Sequence, residues 1–235
     1  MCKSNKNLRA QQESLRLPYI FLRLHGSGNR IDVFSADQSL MNWPTAYTMP
    51  KGSSSLTSFE LIVLQYAYAF PDRFHLSIGT AFPIAKDLIK TFTLGTKVNY
   101  LRYNVLEAAV MMSYTPHYKI AMVGNIVSVG NPRASVHLLL AHAEDFSEDA
   151  EGGLAFGVGG IKSLGKKVSG MVEFMNLAED SYGDLLGDAD SMLLLGVRFR
   201  EASTSWDIGA MRPLSIHETP DEFIAFPFVK GTFLF

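Results

Sequence analysis

Residues 74–82 read Phe-His-Leu-Ser-Ile-Gly-Thr-Ala-Phe: Phe74, Leu76, Ile78, Thr80 and Phe82 alternate with His75, Ser77, Gly79 and Ala81. Side chains alternate across a strand, so the segment has one apolar face and one face of small or polar groups. The following stretch repeats the pattern, with Phe92, Leu94, Thr96, Val98 and Tyr100 opposing Thr91, Thr93, Gly95, Lys97 and Asn99. So does 192–200, where Leu193, Leu195, Val197 and Phe199 oppose Met192, Leu194, Gly196, Arg198 and Arg200. At the end Phe223, Ala225, Val229, Gly231, Phe233 and Phe235 oppose Lys230 and Thr232, with Phe226 and Phe228 on the mixed face. A helical period explains none of these segments as well.

Working outward, eleven strands are predicted: 56–70, 74–82, 88–101, 104–114, 117–129, 133–142, 153–162, 167–176, 191–201, 204–215 and 222–235. The 180 residues from Leu56 to Phe235, shared among eleven strands, leave about 16 each with a connection. That spacing has no room for crossover helices, so neighbours pair antiparallel as a meander.

Three features choose between a soluble sandwich or barrel and a membrane barrel. The less apolar faces carry Ser77, Gly79, Ala81, Thr93, Gly95, Gly157 and Gly159, where a solvated outer face would be dense in Lys and Glu. Aromatics (Phe74, Phe82, Tyr100, Tyr114, Tyr118, Phe199, Trp206, Phe235) sit near strand ends on the apolar face, where interfacial girdles belong. The connections alternate between short (Pro71–Arg73, Arg102–Tyr103, Gly130–Pro132, Ser163–Lys166, Ala202–Ser203) and mostly longer (Pro83–Asp87, Thr115–Pro116, Ala143–Gly152, Leu177–Asp190, Ile216–Asp221). Short turns at one end and long loops at the other are the layout of an outer-membrane barrel.

Composition agrees. The chain of 235 residues has 19% charged residues, below the roughly 25% of soluble domains, and a mean hydropathy of +0.10. No stretch free of Asp, Glu, Lys and Arg exceeds 13 residues, too short for a spanning helix of about 20. A net charge of −2 provides no basic footprint for nucleic acid. The single Cys2 excludes an internal disulfide. Leu15–Leu24, broken by Arg16 and Arg23, makes a poor signal peptide. Residues 1–28 read as a disordered or vestigial segment ahead of a barrel domain at 29–235. An even-numbered barrel with both termini at the short-turn end needs one more strand; Arg30–Ala36 is the candidate, with Asp37–Ser55 as an outer loop. The expected fold is thus an all-β, single antiparallel up-and-down transmembrane barrel of about twelve strands.

The chain resembles a group of uncharacterised outer-membrane β-barrel proteins, mostly of Bacteroidetes-like bacteria, over roughly residues 40–235. The likeness rests on Pro44-Thr45-Ala46 with Pro50-Lys51-Gly52, Tyr68-Ala69-Phe70-Pro71-Asp72-Arg73-Phe74, Gly159-Gly160-Ile161-Lys162-Ser163-Leu164, Asp207-Ile208-Gly209 before Arg212-Pro213, and the terminal Phe235. These motifs are turn and strand punctuation; they imply fold and location and carry no chemistry. Phe233 and Phe235 look like the signal that barrel-insertion machinery reads.

Tests for chemistry are mostly negative. Gly160 to Lys167 (GIKSLGKK) falls one hydroxyl short of a phosphate-binding loop and precedes a strand, where a helix N-terminus is needed. His137 and His142 are five apart, hence on opposite faces, and do not share a metal. The acids Glu144, Asp145, Glu148, Asp149 and Glu151, and Asp184, Asp188 and Asp190, lack the pattern of a calcium loop. His75 and Ser77 share a face, with Glu107 or Glu173 as orienting acids for a hydrolase. The inward set is richer: cations Lys97, Lys119, Arg198, Arg200 and Lys230, anions Glu107, Glu173 and Asp207, and His75, Asn99, Asn125 and His137. Such groups either pair across a filled lumen or line a pore favouring small anions.

The expectation is a non-enzymatic barrel of the bacterial outer membrane without cofactor or metal, either a narrow porin-like channel or a filled structural barrel with acidic loops. Its partners would be membrane lipid, the insertion machinery and small solutes or anions. The alternative is a ligand-binding or hydrolytic barrel, soluble and lipocalin-like or lipid-modifying.

Overall fold

A computed structural model describes residues 38–81, 88–131, 133–146, 152–177, 191–214 and 225–235. Twelve strands form one closed antiparallel barrel: β1 Ser54–Phe59, β2 Val63–Ala69, β3 Phe74–Ala81, β4 Thr93–Tyr103, β5 Leu106–Thr115, β6 Ile120–Asn131, β7 Ala134–Asp145, β8 Gly153–Ser163, β9 Val168–Leu177, β10 Ser191–Arg200, β11 Thr204–Leu214 and β12 Phe226–Leu234. Each pairs with its chain neighbour, and β1 closes on β12 through Ser55↔Leu234 to Phe59↔Lys230. A short 3-10 helix, Leu88–Thr91, precedes β4.

The barrel is inside out relative to a soluble one. Along β7, Val136, Leu138 and Leu140 point outward at 58%, 53% and 58% exposure, while Ser135, His137, Leu139 and Ala141 are buried. Leu154, Val172, Leu195 and Ile208 extend the apolar exterior over β8 to β11. Aromatics cluster by the rims, as at Trp206, whose ring packs edge-on against Phe233 and covers Gly231.

Two expectations about the front of the chain change. The predicted strand 56–70 is a hairpin of β1 and β2, turning at Glu60–Ile62. Phe59 pairs with Val63, four residues on, so the inward–outward parity runs unbroken through the turn and the sequence pattern shows no interruption. The twelfth strand comes from this split. The suggested closing strand Arg30–Ala36 lies outside the described residues; the seam is closed by β1 on β12. The expected outer loop Asp37–Ser55 is overturned too. Its described part runs from the rim at Pro50–Ser53 into the lumen, where Leu40, Met41, Ala46, Tyr47 and Met49 are buried.

Inside, this plug and the wall form a true hydrophobic core. Leu40 and Met41 pack with Ile161, Met171, Met175, Met192, Leu194 and Phe228; Ala46 packs with Ala109, Ile126, Leu139 and Ala141. Methionines fill the irregular seam, as an unbranched, adaptable side chain can.

Candidate functional site: the plugged lumen

The plug is a small hairpin. Thr45 N–H donates to Gln38 O at 2.8 Å, Ser39 bridges Pro44, and Leu40 N–H donates to Trp43 O at 2.8 Å. Its remaining backbone groups sit where water is scarce and need partners from the wall. The partners match in polarity: wall cations meet plug carbonyls, and a wall carboxylate meets plug amides.

Lys97 on β4 donates to the carbonyls of Gln38, Thr45 and Tyr47 at 3.2, 3.0 and 2.7 Å. Glu173 on β9, fully buried, accepts from Asn42 N–H and Trp43 N–H, both at 3.2 Å. Arg198 on β10 reaches the carbonyls of Ser39 and Leu40 at 3.1 and 3.2 Å. Lys230 on β12 donates to Ser39 Oγ at 3.1 Å and to Leu40 O, and lies 5.6 Å over the Phe59 ring. Asp207 on β11 binds Arg198 through two bonds, 2.5 and 2.6 Å, and Lys230 at 3.0 Å. Asn99 Nδ2 donates to Ala46 O at 2.9 Å and to Glu107 Oε2 at 2.7 Å, and Arg102 lies 3.3 Å from the same oxygen. Ala46 N–H donates to Ser128 Oγ at 2.9 Å, which shares a 2.7 Å bond with His137 Nδ1. Met49 N–H donates to His75 Nε2 at 2.6 Å.

The structure therefore brings Lys97, Asn99, His137, Glu173, Arg198, Arg200, Asp207 and Lys230 into the barrel interior, with Glu107 half-buried beside them. Arg200 donates to Ser169 Oγ. Two inward assignments fail. Lys119 is exposed in the β5–β6 turn, at φ 55°, instead of lining the lumen. Asn125 faces outward and accepts from Tyr100 OH at 3.1 Å; a register shift between Asn99 and Leu101 lies across the wall from it. His137 does face in and His142 out. His75 and Ser77 share the lumen face, but Glu107 binds Asn99 and Arg102, and Glu173 binds the plug, so neither acid orients His75.

The small inward residues have a use that alternation alone does not reveal. Leu40 lies against Gly159, Met41 Sδ would sit 2.6 Å from a Cβ at Gly196, and Trp43 Nε1 3.2 Å from one at Gly157. The glycines are sockets for the plug. The available signal for this was the set of large apolar residues on the small face, Met192 and Leu194 above all; an aqueous pore has no need of them.

The plug fills only part of the lumen. Beside it, against β1 to β5, runs a cavity of about 560 Å³. Its lining extends from Ser55, Ser205 and Thr232 near the short-turn rim to Ala81 and Thr91 near the other. Lys97 and Arg198 border it, and among the described residues no carboxylate does.

An inside-out, closed antiparallel wall with a polar, partly filled lumen defines a β-barrel of the membrane type. No family model and no curated protein matches the chain. Solved structures similar in shape include a NanC porin (7% identity, 77% of this chain and 98% of that chain, TM-score 0.48). Two others are Omp33, an outer membrane protein of Acinetobacter baumannii (10%, 78% and 96%, 0.40), and a triple-mutant porin of Rhodopseudomonas blastica (13%, 74% and 55%, 0.40). The chain thus spans about half the length of the last.

Proposed function

We propose that this chain is an outer-membrane barrel, narrowed by its own plug, that passes small solutes through the crescent beside it. The observation that carries this is the cavity lined from one rim region to the other. Among its described lining residues Arg198 is balanced by Asp207, while Lys97 meets neutral carbonyls, so passage favours anions over cations. In this reading residues 29–235 are the barrel domain and 1–28 a segment ahead of it, Phe233 and Phe235 are the signal for the insertion machinery, and the chain joins the uncharacterised Bacteroidetes-like barrels whose punctuation it shares. No enzymatic role is proposed.

Planar bilayers test it. The barrel should give small, anion-selective conductance steps, and Gly79→Phe, whose new side chain enters the crescent from a position with no close neighbour, should shrink them. A silent bilayer from correctly inserted protein overturns the channel and leaves the filled, structural barrel, which the dense set of plug-to-wall bonds favours. Folded, monomeric protein in plain buffer would sink the membrane reading altogether.

A further inference from the structure

The wall beside the crescent is low. β1 has six residues and β2 seven, against twelve in β6 and β7. At about 3.4 Å per residue and a tilt near 40°, β1 rises roughly 16 Å and β2 roughly 18 Å, against an apolar band of about 25 Å. The missing height is at the long-loop end. At the other rim the pairing is complete, since Gly52 and Ser53 bond to Ala69, and Ser54 and Phe235 bond to each other.

The lip of this low wall is made for hydrocarbon. Its turn holds Leu61 and Ile62, exposed at 71% and 41%, with Glu60 and Leu61 at φ 51° and 59°. Positive φ favours Gly or Asn, and a bulky Leu there is strained. A turn in water gains nothing from two aliphatic side chains at that position; a turn inside a leaflet does. Glu60 is not a loose charge, because its carboxylate accepts from Val229 N–H at 2.9 Å.

The cavity behind the lip changes character along its length. Near the lip its lining includes Phe59, Val63, Met111 and Met122, with the hydroxyls of Thr80, Thr91 and Thr93 at the same rim but bonded among themselves and to Thr115. Deeper it is Thr57, Ser205 and Thr232, with Arg198, held by Asp207, alongside. We infer that the low β1–β2 wall is a lateral portal, through which a single-chain amphiphile with a small polar head enters the crescent from the surrounding leaflet. Its chain lies along Phe59, Val63 and the two methionines, and its head reaches the hydroxyls. A volume of about 560 Å³ is in the range of small-ligand sites, which are apolar with a few placed polar groups. The inference rests on the membrane reading and names a substrate class for the same crescent.

The test uses the full chain in lipid nanodiscs with doxyl-labelled stearate, read by electron paramagnetic resonance. The wild type should show an immobilised component beyond that of empty discs. Gly79→Phe, filling the crescent, should lower it roughly fivefold. The double variant Leu61→Asn with Ile62→Asn, which suits the turn's backbone while making the lip polar, should lower it by a similar factor. An immobilised component indifferent to Gly79→Phe is lipid on the outer wall and overturns the portal. So does one that falls with Gly79→Phe yet ignores the polar lip, since entry is then from the aqueous end. Conductance of the wild type, measured in parallel, reports separately on the channel. Conductance without immobilised stearate overturns the portal alone, and stearate bound without conductance overturns the channel and supports the portal.

Discussion

At Asp207 two buried cations meet one carboxylate: Arg198 takes both oxygens, Lys230 shares one, and both cations also hold the carbonyl of Leu40. Replacing a buried ion group with apolar residues is often tolerated, but removing one partner strands the others. Asp207→Asn leaves Arg198 and Lys230 facing each other without a counter-charge and should cost about 3–5 kcal/mol, checked by urea unfolding from lipid vesicles. Glu173 differs because it faces amides. Glu173→Gln keeps its shape but presents one acceptor where two N–H groups converge, a loss of about 1–3 kcal/mol that falls on the plug. Limited proteolysis should then cleave within 38–49 while the barrel stays intact; unchanged resistance would show that Glu173 does not hold the hairpin.

Among the elements, those with an alternating pattern were legible and those without were not. β3, β8, β9, β10 and β11 follow the predicted segments to within about one residue, because each strand has lipid on one side and a confined interior on the other, which writes a period of two. The predicted strand 88–101 instead opens on the 3-10 helix Leu88–Thr91, and β4 begins only at Thr93. The β1–β2 hairpin escaped because its turn keeps parity and carries none of the usual Gly, Asn or Asp. The plug escaped because Gln38–Met49 has no period, and its Trp43 and Pro44 resemble a surface loop. The charged site was legible as residues pointing inward, not as a cradle, since what it binds is backbone, which leaves no mark of residue type. Two outcomes belong at this scale. Leu61→Gly should relieve the left-handed strain, about 1 kcal/mol, but forfeit the side chain's burial in hydrocarbon, about 2 kcal/mol, so the thermal midpoint in detergent should fall; a rise would show that Leu61 faces water. Gly157→Leu fills the socket under Trp43, whose ring atoms are the nearest neighbours of a Cβ there, so it should push the plug out and enlarge the conductance step; a smaller step would mean the new side chain fills the crescent instead.

For the molecule as a whole, the strand pairing that closes the wall is independent of the plug, although many wall side chains bond to it. No strand pair of the barrel uses residues 38–49. A chain beginning at Pro50 should therefore still close β1 on β12 and conduct several-fold more than the full chain, with lumen charges passing from carbonyl partners to water. Failure of that chain to form a heat-resistant barrel would show that the hairpin is required for closure.

The hairpin's position in the chain also sets an order of assembly. It leads directly into β1, yet its holding groups lie as far along as Glu173, Arg198 and Lys230, up to 191 residues away. Contacts so distant in sequence form late and slowly. The cradle is complete only when β12 arrives, and β12 is also the strand that seals the seam against β1. Loading and sealing thus fall in one step: a chain that seals first is left to bring residues 38–49 into a finished ring. The time-critical event in the folding of this barrel is the meeting of β1, with the hairpin before it, and β12.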